Sequence, residues 1–145
     1  MTFEKGFIEQ QIISVVREIL TERVNEMLCD MRFPVPPVEF GDYFGGSAVV
    51  PAVVLSSCER TEKERITLLD AYSLTVTFTL PETPESELQC YAYSGAISRA
   101  IYDNPTLCGV ADRAVITGKK YLSPKKPNCG EGWQLIISLR VTVEQ

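Results

Sequence analysis

The stretch that decides the fold is Leu68-Leu69-Asp70-Ala71-Tyr72-Ser73-Leu74-Thr75-Val76-Thr77-Phe78-Thr79-Leu80. Tyr72, Leu74, Val76, Phe78 and Leu80 alternate with Ala71, Ser73, Thr75, Thr77 and Thr79. A period of two is the period of a strand, because successive side chains point to opposite faces. One face is strongly apolar and the other is nearly all hydroxyl, which predicts an antiparallel strand over 68–80 with one face on a core. The hydroxyl face is small and weakly polar, and suits either water or another subunit.

Working outward, the same alternation returns near the end of the chain. Trp133, Leu135, Ile137, Leu139, Val141 and Val143 alternate with Gln134, Ser138, Arg140 and Thr142, predicting a strand over 133–143. A partner strand is expected over 110–121, joined to it by a long hairpin loop at 122–132 that carries Gly130 and Gly132. Before the deciding strand, Ala48 to Cys58 is rich in Val and reads as a short strand. Pro51 within it points to a sheet edge or a bulge. The run 59–65, Glu-Arg-Thr-Glu-Lys-Glu-Arg, reads as a solvated hairpin loop.

Two segments have helical spacing instead. Ile8, Ile12, Val15, Val16, Ile19, Leu20, Val24 and Met27 recur on one face of a helix over 7–30, opposite Gln11, Ser14, Glu18, Glu22 and Asn25. Pro34, Pro36 and Pro37 end it, and 31–47 reads as a Pro/Gly linker with turns at Gly41, Gly45 and Gly46. A second helix is expected over 86–103, with Tyr93, Ile97 and Ile101 flanked by Ala92, Ala96 and Ala100 on one broad face. Thr83 before Pro84, or Ser86 with Gln89, supplies the start, and Asn104-Pro105 the stop. The sum is one α+β domain over 1–145, in the order α-β-β-α-β-β. Both helices lie on one face of a four-stranded, mainly antiparallel sheet spanning 48–143.

Composition narrows the function. The chain has 145 residues, 45% of them apolar and 23% charged, with a net charge of −5 and no histidine. The acidic balance argues against a general nucleic-acid binder, whose phosphate contacts need excess Lys and Arg. Without histidine there is no Ser-His-Asp or Cys-His nucleophile and no His-ligated metal. The five cysteines, at 29, 58, 90, 108 and 129, lack the close pairs of a zinc site and read as reduced thiols packed as small apolar groups. The longest apolar run, Ala48 to Leu55, contains Pro51 and is far shorter than the about 20 residues of a membrane helix. A cytoplasmic protein or a soluble assembly is expected.

The chemistry on offer is thin. Glu82, Glu85 and Glu87 fit the favourable end of a helix dipole and need no catalytic explanation. Gly45-Gly46-Ser47 lacks the Lys-Ser/Thr ending of a phosphate loop, and Asp70, Asp103 and Asp112 have no metal-loop spacing. No enzyme activity, metal or cofactor is expected. The cations are more informative. Lys119, Lys120, Lys125 and Lys126 place four positive charges on one hairpin, and Arg60, Lys63 and Arg65 do the same for the charged run. Such tips suit an acidic partner or passing DNA phosphates.

The order of elements and several phrases resemble the tail terminator (tail completion, minor tail) proteins of long-tailed phages and prophages. The resemblance rests on the amphipathic first helix, the Pro/Gly linker and Pro51-Ala52-Val53-Val54-Leu55. It continues through the alternating strand Leu69 to Leu80 and the helix end Ile101-Tyr102-Asp103-Asn104-Pro105-Thr106-Leu107-Cys108-Gly109. The hairpin 110–143 completes it, so it covers about residues 7–143. The resemblance implies a structural role without catalysis or cofactor. Copies would close into a ring, commonly a hexamer, on the last ring of the tail tube, stopping polymerisation and presenting a head-joining surface. The partners implied are the chain itself, the tail tube protein, head–tail connector proteins and, transiently, DNA passing the lumen. Assembly would begin in the cytoplasm and end in the virion tail. Two other readings stay open: another phage neck or tail subunit, or a small α+β ligand-binding or regulatory dimer in which Tyr91, Tyr93, Tyr102 and Trp133 line a pocket.

Overall fold

The structure is a computed structural model that describes residues 7–31, 35–40, 49–63, 67–124 and 131–144, of which the side chains of Lys63 and Glu131 are not described. Four strands form one antiparallel sheet: β1 (Ala52–Lys63), β2 (Thr67–Pro81), β3 (Arg113–Leu122) and β4 (Glu131–Glu144), in the spatial order β1-β2-β4-β3. The helices are α1 (Ile8–Ile19), which runs through a π-turn (Leu20–Val24) into α2 (Asn25–Leu28), and α3 (Ser86–Asp103). The first three pieces form one helical rod. The rod lies over β1, α3 covers β3, β4 and β2, and the two pack against each other.

The alternation in β2 acts as the sequence predicts. Tyr72, Leu74, Val76, Phe78 and Leu80 are buried beneath the helices, facing Val16, Ile97 and their neighbours in one core, whereas Ser73 and Thr79 are exposed. The Phe78 and Tyr93 rings stack there at 4.8 Å between centroids. On β4, Leu135, Ile137, Leu139, Val141 and Val143 supply the same face. α3 buries Ala92, Ala96 and Ala100 beside Tyr93, Ile97 and Ile101, so the small residues let the helix axis approach the sheet closely.

Four expectations need correction. First, the charged run is not a loop as far as Lys63. Arg60 pairs with Asp70, Thr61 with Leu69, Glu62 with Leu68 and Lys63 with Thr67, so β1 extends five residues past Cys58. Its charges mask a ladder that the partner strand stabilises. Second, β1 begins after Pro51, and Val49 makes an isolated parallel bridge with Val38. Third, part of the linker is a packed strap. Asn25 takes the Val38 N–H on Oδ1 at 2.8 Å and donates from Nδ2 to the Val38 carbonyl at 2.8 Å, and the Tyr93 hydroxyl donates to the Pro36 carbonyl. Fourth, Cys29, Cys58 and Cys108 are exposed, and only Cys90 among the described cysteines is packed in the core.

The start of α3 also differs in detail. Its N-cap, Glu85, makes no side-chain cap; Ser86 instead donates from Oγ to the Pro81 carbonyl at 2.6 Å and accepts the Thr83 N–H at 3.0 Å. After α3 the chain turns through Leu107, Cys108 and Gly109, at φ of 49°, 57° and 89°. Left-handed backbone at a leucine costs about 1–2 kcal/mol. Full burial of Leu107 and the bonds from Leu107 N to Asn104 O (3.0 Å) and from Ala114 N to Pro105 O (2.7 Å) offset it.

Candidate functional site

Two surfaces are candidates. The first is the sheet face turned away from the helices, over which no described element lies. Across the strands it reads in rows: Ala52, Thr77, Ile136 and Lys120 in one, and Val54, Thr75, Ser138 and Gly118 in the next. All eight positions are wholly or partly open, Lys120 alone among them is charged, and Val54 is 50% exposed. A flat patch of this composition has little to offer as a catalyst and much as a contact surface.

The second surface lies on the helix side, where α3 and the edge strand β3 enclose an open groove of ≈ 630 Å³. Ile101, Pro105, Ala114 and Ile116 give it apolar walls, Tyr102 stands at its mouth, and Arg113 and Lys119 bring positive charge. Further along α3, Tyr91 packs edge-on against Tyr121 (5.6 Å) and Trp133 (6.3 Å). The Tyr91 hydroxyl donates to Glu87 at 2.9 Å, which holds the phenol above its ordinary pKa.

The cations singled out from sequence do not form one surface. An extra residue at Thr117 in β3 slips the register, so Lys119 opposes Ile137 on the helix side and Lys120 opposes Ile136 on the open face. Adjacent lysines thus serve different surfaces. Arg60 lies at the other edge of the sheet and is already engaged. Its Nε and Nη2 donate to the Asp70 carboxylate at 2.6 and 2.9 Å, and these bonds raise the guanidinium pKa further. Lys63 ends β1 opposite Thr67, while Arg65, Lys125 and Lys126 lie outside the described residues. Of the four aromatics that the sequence reading grouped around a pocket, Tyr102 lines the groove, and Tyr91 and Trp133 meet beside Tyr121. Tyr93 is instead buried in the core on Phe78, and the walls that β3 supplies were missed. The exposed spacing of Leu88, Tyr91 and Tyr102 along one helix was the available signal.

Among the described residues, no three His, Cys, Asp or Glu side chains gather as a metal site, and no helix is long and apolar enough to cross a membrane. No protein-family model matches the chain, and no curated protein matches it either. The class that the fold defines is an α+β sheet layered on one side by helices.

Proposed function

We propose that the chain is a structural assembly subunit of the phage tail terminator kind. Copies close into a ring, a hexamer, on the end of the tail tube, stop its polymerisation and offer a surface to the head–tail connector. The observation that carries this reading is the open sheet face with its rows of Thr, Ser, Ala and Ile, which the chain leaves without a covering element among its described residues. Contacts that close a ring are heterologous, joining one patch to a different one on the next copy. The open sheet face and the strand edges of β1 and β3 provide two unlike patches. Pro51 and the extra residue Ser56 at β1, with Lys119, Lys120 and Thr117 at β3, blunt both sheet edges against open-ended strand addition. Lys120 and the hairpin lysines 125 and 126 are assigned to the tube or to DNA in the lumen. Assembly starts in the cytoplasm and ends in the virion tail.

The test is native mass over a concentration series, followed by negative-stain images with and without tail tubes. Closed rings and capped tube ends are expected. The groove, apolar and open, favours a second reading, a ligand-binding or regulatory dimer. A compact dimer that leaves tubes uncapped would select it and remove the ring.

A further inference from the structure

The solvent side of α3 carries a seam that contacts among the described residues explain only at Tyr91, which packs on Tyr121 and Trp133. Leu88, Tyr91, Gly95, Ser98 and Tyr102 follow one another at steps of 3, 4, 3 and 4 residues, the spacing of a helix contact line. Leu88 is 52% exposed, Tyr91 46% and Tyr102 78%. At the centre stands Gly95, in mid-helix, where glycine weakens a helix relative to alanine. A β-carbon placed on it meets no atom of the described residues within 4 Å, so none of them demands glycine there. Glycine at the middle of a contact line is what close approach of another backbone requires.

Charge says what approaches. The chain entering α3 is acidic, with Glu82, Glu85 and Glu87, whereas the groove beside its last two turns is rimmed by Arg113 and Lys119. Leu88 lies seven residues before Gly95 and Tyr102 seven after it. Turned end for end about Gly95, the seam therefore meets itself: Leu88 opposes Tyr102, and each acidic end opposes a basic rim. We propose that α3 pairs antiparallel with α3 of a second copy across Gly95, forming a two-fold dimer in which Leu88 and Tyr91 of each copy fill the groove of the other. The contact is isologous, so it makes pairs and not rings. It does not depend on the ring reading and stands as a separate mode of association.

Sedimentation of the full chain over a concentration series tests it with three variants. Gly95→Gln adds a side chain into open space in the monomer and into the seam of the dimer. Its melting temperature should hold or rise while its dimerisation weakens by about tenfold or more. Arg113→Glu/Lys119→Glu makes both ends of the seam acidic, and Glu85→Lys/Glu87→Lys makes both basic. Each should be monomeric alone, and the two mixed should form a heterodimer. A wild-type chain that stays monomeric throughout overturns the proposal. So does Gly95→Gln dimerising like wild type, or a mixture that fails to pair. Wild-type rings unaffected by all three variants would leave the ring reading standing and remove this one.

Discussion

Arg60 on β1 and Asp70 on β2 close a two-point ion pair across the first hairpin, at 2.6 and 2.9 Å. The two partners sit in different media, since Asp70 is 2% exposed and the Arg60 side chain is largely in water. Losing the guanidinium takes two charge-assisted hydrogen bonds from a carboxylate held inside the protein, whereas neutralising the carboxylate leaves a cation that water solvates. Arg60→Met should therefore lower the melting temperature more than Asp70→Asn does. Thermal unfolding of both at neutral pH checks this, and the reverse order would refute it.

Asn25 fastens the strap at Val38 by both its amide groups, and the Val38 backbone is buried. Asn25→Ala leaves a donor and an acceptor to be desolvated without those bonds, at about 2 kcal/mol. Urea unfolding gives that number, and faster amide exchange at Val38 and Glu39 should accompany it. Unchanged exchange would mean that the strap is held elsewhere.

Gly132 is required by space. A β-carbon on it would lie 2.6 Å from the Pro81 carbonyl oxygen and 2.6 Å from Ser86 Oγ. One of these is backbone, and the other, on the first residue of α3, is held by its bonds to Pro81 and Thr83, so neither yields easily. Gly132→Ala should destabilise the fold by about 2 kcal/mol. A melting temperature equal to that of wild type would show that the turn can move aside.

Cys90 sets the first part of the alkaline limit. Burial, with Glu87 adding to it, pushes its thiol from an ordinary 9.0 up to about 11. Above the ordinary value the unfolded chain releases a proton that the folded chain keeps, so stability is whole below that point and falls as pH rises towards about 11. Tyr72, raised by burial from 10.0 to about 12, extends the decline to higher pH. Cys90→Ala should flatten the first part of this fall, at about 1 kcal/mol lost near neutrality from the smaller side chain. Denaturant midpoints on either side of the thiol's ordinary value would show it.

Lys119 and Lys120 offer a functional dissection, because they leave β3 on opposite faces. Under the ring reading, Lys120→Glu should impair tail completion while leaving the fold and the α3 seam intact. Lys119→Glu should act on pairing through the groove. In vitro tube capping and sedimentation separate the two, and identical phenotypes would argue that the faces are not distinct in use.

Much of this architecture was legible because burial imposes a period. Tyr72 to Leu80 and Leu135 to Val143 each face one core, so their alternation carried the strand assignment directly. Ala92, Ala96 and Ala100 did the same for α3. The charged end of β1 was hidden because Glu59 to Lys63 owe their strand to pairing with β2, a non-local cause that no local pattern records. The strap was hidden for a similar reason: Asn25 looks like any polar residue on a helix until Val38 is brought to it. The candidate site was less legible still. Lys119 and Lys120 read as one basic tip because Thr117 gives no sign of its extra place in the ladder, although Gly118 beside it is a residue found at such positions.

The extra residues at Ser56 and Thr117 have a consequence best put as a reading frame. In a strand, odd and even positions address the two faces, and one additional residue exchanges the addresses of everything downstream. Beyond Ser56 that exchange sends Arg60 to meet Asp70; beyond Thr117 it sends Tyr121 to Tyr91 and Ser94. Deleting either residue would close the gap in the frame: Leu55 and Ser57, or Ile116 and Gly118, would become neighbours in an unbroken ladder. Every later side chain would keep its present partner and face, so each extra residue is a letter that the frame reads past.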